Sequence, residues 1–440
     1  VSTSFWCESL LIDGVAVAGV RLEVDSAGRI TRVQVGSAQA ADIRLGTVVP
    51  GFGNAHSHAF HRALRGQTHE DDGDFWLWRE RMYRVAAQLD PSNYQALATA
   101  VFAEMLVCGY TAVGEFHYVH HHADGVPYEP AHAMELALAA AARAVGIRLV
   151  LLDTIYLKGG IGRELATEQR AFGDGTATAW LTRWQSLRAQ LEGDDLVTLG
   201  AALHSVRAVP PDAMREVLDG LPREVALHVH LSEQPQENTD CLAAYGLTPT
   251  GLLESLGALT ARLSVVHATH LSDTDRARLG DAGVTVVMCP TTEADLGDGI
   301  GPALALATAG SPIALGSDQN AVIDPFLEMR GLEMAERLAS QQRGRFSPAA
   351  LLAAASTAGY AALALGRHRL QPGDPCDLVE ISTTGVRTIG SLLGQLPLTA
   401  TAADVLRVFV GGRLVAECGQ LVGGERPAMM MADALVRLGR

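Results

Sequence analysis

Eight short apolar runs, separated for the most part by Ala/Leu/Arg-rich stretches of helical texture, recur between residues 47 and 318. They read "TVVPGFGNAHSH", "TAVGEFHY", "IRLVLLDTIY", "VTLGAALHSV", "EVALHVHLSE", "LSVVHATH", "VTVVMCP" and "PIALGSD". Alternation of this kind calls for parallel strands joined by helical crossovers, and eight is the number that closes a (β/α)8 barrel. An open doubly wound sheet is the competing arrangement, but no glycine-rich dinucleotide turn follows the first strand to support it. The expected fold class is α/β, with a TIM-like barrel over residues 49–368.

The two ends of the chain have a different texture. "VAVAGVRLEVDSAGRITRVQVG" alternates apolar and polar residues around "SAGR", which predicts a hairpin of half-buried strands, and the same style returns in "DLVEISTT", "VLRVFVGGRLVAECG" and "QLVGG". Residues 1–48 and 369–440 are expected to build one small composite β-sandwich of antiparallel sheet. "EDDGDFW" reads as a solvated acidic loop.

Chemistry in a barrel sits at the C-terminal ends of the strands, and the polar residues of this chain collect there. His56 and His58 end the first run, Glu115, His117 and Tyr118 the second, and His204 and Arg207 the fourth; His228, His230 and Glu233 end the fifth, His267 and His270 the sixth, and Asp318 the last. Positions i and i+2 of a strand share a face, about 6.6 Å apart, so His56 and His58 can converge on one ion. His61 points elsewhere or lies past the strand end. Taken alone, an HxH pair is better read as two hydrogen-bonded histidines at a strand edge. A whole set sharing one rim is not, because independent core histidines have no reason to face the same way. His228 reads as support or core. Three His nitrogens and a carboxylate suit zinc or another borderline divalent ion.

Composition narrows the partners. The chain has 440 residues, 48% hydrophobic and 19% charged, which describes a globular protein with ample core. Its formal charge of −15 argues against nucleic acid, since no cluster of Lys and Arg is present to hold phosphates. No apolar stretch reaches the length of a membrane span, and "VSTSFWCESLLIDG" lacks the order of a secretory signal, so a cytoplasmic protein away from membranes is expected. Six cysteines without a CxxC read as small buried apolar residues.

The pattern of HxH, a later His and a late Asp in "LGSD" resembles the amidohydrolase superfamily, and "HLSE" and "HATH" resemble its mononuclear deaminase branch. Nearer still is the formiminoglutamate deiminase family. "NAHSHAF", "FWLWRERMYR", "GYTAVGEFHYVHH", "HSVRAVPP", "LHVHLSEQ", "VHATHLS" and "CPTTEADLGDGI" carry that resemblance over nearly the whole chain. It implies His56, His58, His230 and Asp318 as ligands of one divalent ion per chain, with zinc expected, and a homodimer. It also implies hydrolysis of N-formimino-L-glutamate to N-formyl-L-glutamate and ammonia. Asp318 would take a proton from water, His267 would hydrogen-bond the developing intermediate, and Glu233 would shuttle a proton to the leaving nitrogen.

A substrate with carboxylate groups needs local positive charge in an acidic protein. Arg79 and Arg207 match the family's substrate-binding positions, with Tyr118 and His204 as further donors. Two departures stand out. His61 replaces the family's common Gln, and Gln319–Asn320 replace its common Ser-His; both are expected near the substrate. Competing readings are a deaminase acting on another imine, amidine or heterocycle, and a catalytically silent barrel used as a binding protein.

Overall fold

A computed structural model describes residues 3–68 and 75–440, apart from the side chain of Trp76. The acidic stretch of residues 70–74 lies outside the described residues. Among the described residues, sixteen strands form two sheets. Four come first: β1 (Thr3–Ile12), β2 (Val15–Val24), β3 (Ile30–Val35) and β4 (Ile43–Pro50). The barrel strands follow as β5 (Phe52–Ser57), β6 (Tyr110–His117), β7 (Arg148–Ile155), β8 (Val197–Ser205), β9 (Leu227–Leu231), β10 (Leu263–His267), β11 (Thr285–Met288) and β12 (Ile313–Leu315). Last are β13 (Leu378–Ile381), β14 (Val405–Val410), β15 (Arg413–Glu417) and β16 (Gln420–Leu421).

The strands from β5 to β12 pair in chain order, all parallel. Closure comes just beyond β12. The amides of Ser317 and Asp318 donate to the His56 carbonyl at 3.1 and 3.0 Å, and the His58 amide donates to the Asp318 carbonyl at 2.9 Å. The bonds that shut the barrel are thus made by the residues that carry the HxH pair and the late Asp.

The chain ends build the second sheet, in the order β16-β15-β14-β13-β4-β1-β2-β3. It curls on itself: Phe5 of β1 meets Phe409 of β14 edge to face at 5.1 Å, around a core that includes Leu22, Leu45 and Leu378. Two features depart from the expectation of an all-antiparallel end domain. β1 and β4 run parallel, because the chain crosses over after β3 before it joins the far side of β1. The last residues also form a helix, Pro427–Arg437, which packs on the helix Pro91–Val107 of the barrel layer. At Pro50–Gly51 the chain passes from one sheet to the other so closely that a Cβ on Gly51 would lie 2.2 Å from Thr111 Oγ1.

Five cysteines are buried as expected; Cys418 is exposed, at positive φ in the turn between β15 and β16, where no core exists to receive it. No helix among the described residues is long and apolar enough to cross a membrane.

Behind the barrel wall lies a buried ionic cluster. Arg183 donates to Glu135 at 2.9 Å, to both oxygens of Asp153 at 2.8 Å and to Asp174 at 2.8 and 3.2 Å. Removing one partner of a buried pair leaves uncompensated charge. Arg183→Met should therefore lower stability by about 3–5 kcal/mol in urea denaturation; an unchanged midpoint would show that the three carboxylates do not depend on it.

Candidate active site

Strand geometry brings the predicted cluster together. His56 Nε2 and His58 Nε2 each lie 3.4 Å from Asp318 Oδ1, and His230 Nε2 lies 3.2 Å from His56 Nε2. Ligand atoms at the corners of a tetrahedron with zinc-like bonds are separated by about 3.4 Å. The tautomers agree with that geometry. His58 Nδ1 donates to the Phe116 carbonyl at 2.8 Å and His230 Nδ1 to the His204 carbonyl at 2.9 Å. Each neutral ring is left with its Nε2 lone pair turned on the others, an arrangement that a cation relieves. Burial pushes all three imidazoles down; it works the other way on Asp318, but His56 and its neighbours outweigh it and hold that carboxyl well below the usual carboxylate range. Three converging uncharged imidazoles, with an anionic carboxylate against two of them, fit a divalent metal ion.

His267 and Glu233 stand beside this cluster. His267 Nε2 is 3.8 Å from both Glu233 Oε1 and Asp318 Oδ2, while its Nδ1 is 3.4 Å from Glu293 Oε1. Burial opposes a charged ring there, yet Glu233, Glu293 and Asp318 outweigh it and push the imidazole up to about 10. A divalent ion on Asp318 would lower it again. Burial raises Glu233, whose Oε2 lies 3.6 Å from Arg207 Nη2. Glu293 was not singled out from sequence, although it lies inside "CPTTEADLGDGI". Its helix, Pro290–Leu296, turns it back so that the same oxygen also accepts the Cys289 amide at 2.8 Å.

A cavity opens over the cluster. His58, His61, Arg79, Tyr118, His204, Arg207, His230, Glu233, His267 and Asp318 all line it, so every predicted site residue except the innermost His56 reaches it. His61, in the turn Ala59–Leu64 past the strand end, shares a hydrogen bond with the Tyr118 hydroxyl at 3.0 Å. Arg207 is anchored through Nε to buried Glu237 at 2.7 Å, and Arg79 donates to the Tyr83 hydroxyl. The aromatic part of the wall includes Phe75, Trp78, Tyr83, Tyr156 and Phe172, of which Tyr156 alone sits at a predicted strand end.

Several residues expected on the same rim are turned away from it. On β6 the period of two sends Phe116 inward against the His56, His58 and His230 rings and Glu115 and His117 outward. Glu115 accepts from Ser57 Oγ at 2.9 Å and the Ala59 amide at 2.6 Å, propping the HxH turn from behind. His117 faces Tyr94 and Glu135 in the ionic cluster. His228 bonds the Ala362 carbonyl and His270 the Asp298 carbonyl. Gln319 and Asn320 do not line the cavity either, contrary to expectation. Gln319 donates to Asp295 at 2.6 Å, and Asn320, fully buried, donates to Ser57 Oγ and the His58 carbonyl across the closing seam of the barrel.

Residues 47–415 match the amidohydrolase family. The chain belongs to that family. This amidohydrolase is 36% identical to the formimidoylglutamate deiminase of Pseudomonas aeruginosa over the full length of both chains. Its structure is similar to that of an amidohydrolase from Brucella melitensis, with a TM-score of 0.92, 32% identity and full coverage of both. It also resembles an adenosine deaminase from Xanthomonas campestris solved with bound zinc (TM-score 0.83, 25% identity, 100% of this chain and 98% of that one). The fold and the donor cluster together support metal-dependent hydrolysis by this amidohydrolase.

Proposed function

We propose that this amidohydrolase hydrolyses N-formimino-L-glutamate to N-formyl-L-glutamate and ammonia, as one step of histidine degradation, with one zinc ion held by His56, His58, His230 and Asp318. The observation that carries the reading is one cavity lined both by that cluster and by two guanidinium groups, Arg79 and Arg207. The full-length likeness to a formimidoylglutamate deiminase supports it. An ion in the cluster supplies the positive charge that acidifies a water at neutral pH.

The side chains do the rest. Asp318, with Oδ2 facing His267, takes the proton of the attacking water as its oxygen adds to the formimino carbon. His267 donates to the oxygen on the tetrahedral carbon. Glu233, between His267 and Arg207, carries a proton to the nitrogen, and the C–N bond breaks to release ammonia. Arg79 and Arg207 hold the carboxylates of the substrate, and Tyr118, His204 and His61 complete its contacts. The protein is further proposed to act as a cytoplasmic homodimer without nucleic-acid partners.

Ammonia release from N-formimino-L-glutamate by metal-replete protein tests the reading. No release at millimolar substrate, with turnover of another imine or of a heterocyclic amine, would replace the named substrate; the aromatic wall of the cavity is what favours that second reading. Arg207→Met should raise KM for N-formimino-L-glutamate about 10- to 100-fold through loss of a charge-assisted bond, with little effect on a neutral formimino compound. Arg207→Lys, which keeps a cation beside Glu237, separates that loss from damage to the Glu237 anchor.

A further inference from the structure

The cavity wall remote from the metal cluster holds a hydrogen-bond chain that no site residue explains. Gln169, buried in the turn Thr167–Phe172, accepts the Ala166 amide through Oε1 at 2.9 Å. That bond settles which end of the side-chain amide is oxygen. Nε2 must then be the donor in its two remaining contacts, to the hydroxyls of Tyr83 and Tyr156, both at 2.9 Å. Tyr83 receives a second donor, Nε of Arg79. Its oxygen is therefore filled with incoming protons, and its own proton must leave it.

The Tyr156 oxygen takes the other Gln169 proton, so its own phenol proton is likewise turned away from the amide. Both hydroxyls thus receive protons from Gln169 and give none to it, and both rings line the cavity, where the phenol protons turn toward a bound acceptor. The seat of Gln169 is built for it: a Cβ on Gly159 would lie 2.6 Å from its Oε1. Burial holds the Tyr156 phenol well above its ordinary range, so it stays a donor at neutral pH.

We propose that Gln169 is a specificity-determining positioning residue, whose amide turns the Tyr83–Tyr156 pair into proton donors toward a substrate carboxylate beside Arg79 and Arg207. The chemistry selects an anion with acceptor oxygens over a neutral ring with N–H donors. This inference rests on the carboxylate-substrate reading given above.

Gln169→Glu keeps the shape and the bond to the Ala166 amide but presents a carboxylate to the phenols, which then spend their protons on it. The expected result is a rise of about tenfold or more in KM for N-formimino-L-glutamate with kcat and metal content retained. Tyr156→Phe should do the same. The double variant should lose little beyond the larger single effect, because both changes remove one donor. Turnover of formamidine, which has no carboxylate, should stay near the wild-type value, and binding of glutarate followed by calorimetry should weaken in the same pattern as KM. Unchanged KM, fully additive losses, or an equal loss with formamidine would overturn the proposal. Wild-type protein that ignores N-formimino-L-glutamate yet binds glutarate in a Gln169-dependent way would overturn the named substrate alone; glutarate binding that is absent, or indifferent to Gln169→Glu, would overturn this inference.

Discussion

Asp318→Ala should lose its divalent ion and its turnover together. Metal analysis of the wild-type protein is expected to find about one ion per chain, since His56, His58 and His230 converge and Asp318 lies 3.4 Å from the first two; the variant should retain less than a tenth of that. The physical reason is that Oδ1 of Asp318 is the one charged donor, 3.4 Å from two imidazole nitrogens whose lone pairs it faces. Without it three neutral rings remain, crowded around a site with no charge to offset the ion's desolvation. The backbone of Asp318 also closes the barrel, but its amide and carbonyl make those bonds, so the substitution should leave the fold intact. His56→Ala should behave alike. Full activity in a metal-free Asp318→Ala protein would dismiss the metal site.

Glu233→Gln should have the second largest effect and the opposite metal signature. Glu233 lies outside the donor cluster, reaching His267 at 3.8 Å and Arg207 at 3.6 Å. The amide keeps the volume and can still bond, but it cannot take up and return a proton. A positioned acid–base group contributes about 10²–10⁴-fold, so kcat should fall by that factor while metal content stays near one per chain. Loss of the ion with the rate per bound ion preserved would make Glu233 a structural residue.

Much of the site was legible because a strand alternates. HxH is compact enough that two imidazoles one pleat apart must converge, and their placement at a strand end follows from where the apolar run stops. The same rule was less decisive elsewhere. His117 sits one residue from Tyr118 at the end of β6, yet Tyr118 reaches the cavity and His117 the ionic cluster; nothing local distinguishes inward from outward at a strand end where both neighbours are polar. Glu293 escaped notice because its reach toward His267 depends on a helix turning back over the strand ends.

Gln319 and Asn320 show the limit most plainly. Adjacent to Asp318 in the chain, they were expected near the substrate, but Asp318 and Asn320 take positive φ and the chain bends, sending Asn320 under the HxH turn and Gln319 to Asp295. Local periodicity, and strand ends that must share a rim, made legible the barrel, the sheet built from the chain ends and the convergence of His56, His58 and His230. Folding alone settled which neighbours of those histidines face the cavity, and that Gln169 meets the hydroxyls of both Tyr83 and Tyr156. Those outcomes depend on hydrogen bonds between residues far apart in the chain, such as Gln169 with Tyr83 and Asn320 with Ser57, and local periodicity carries no record of them.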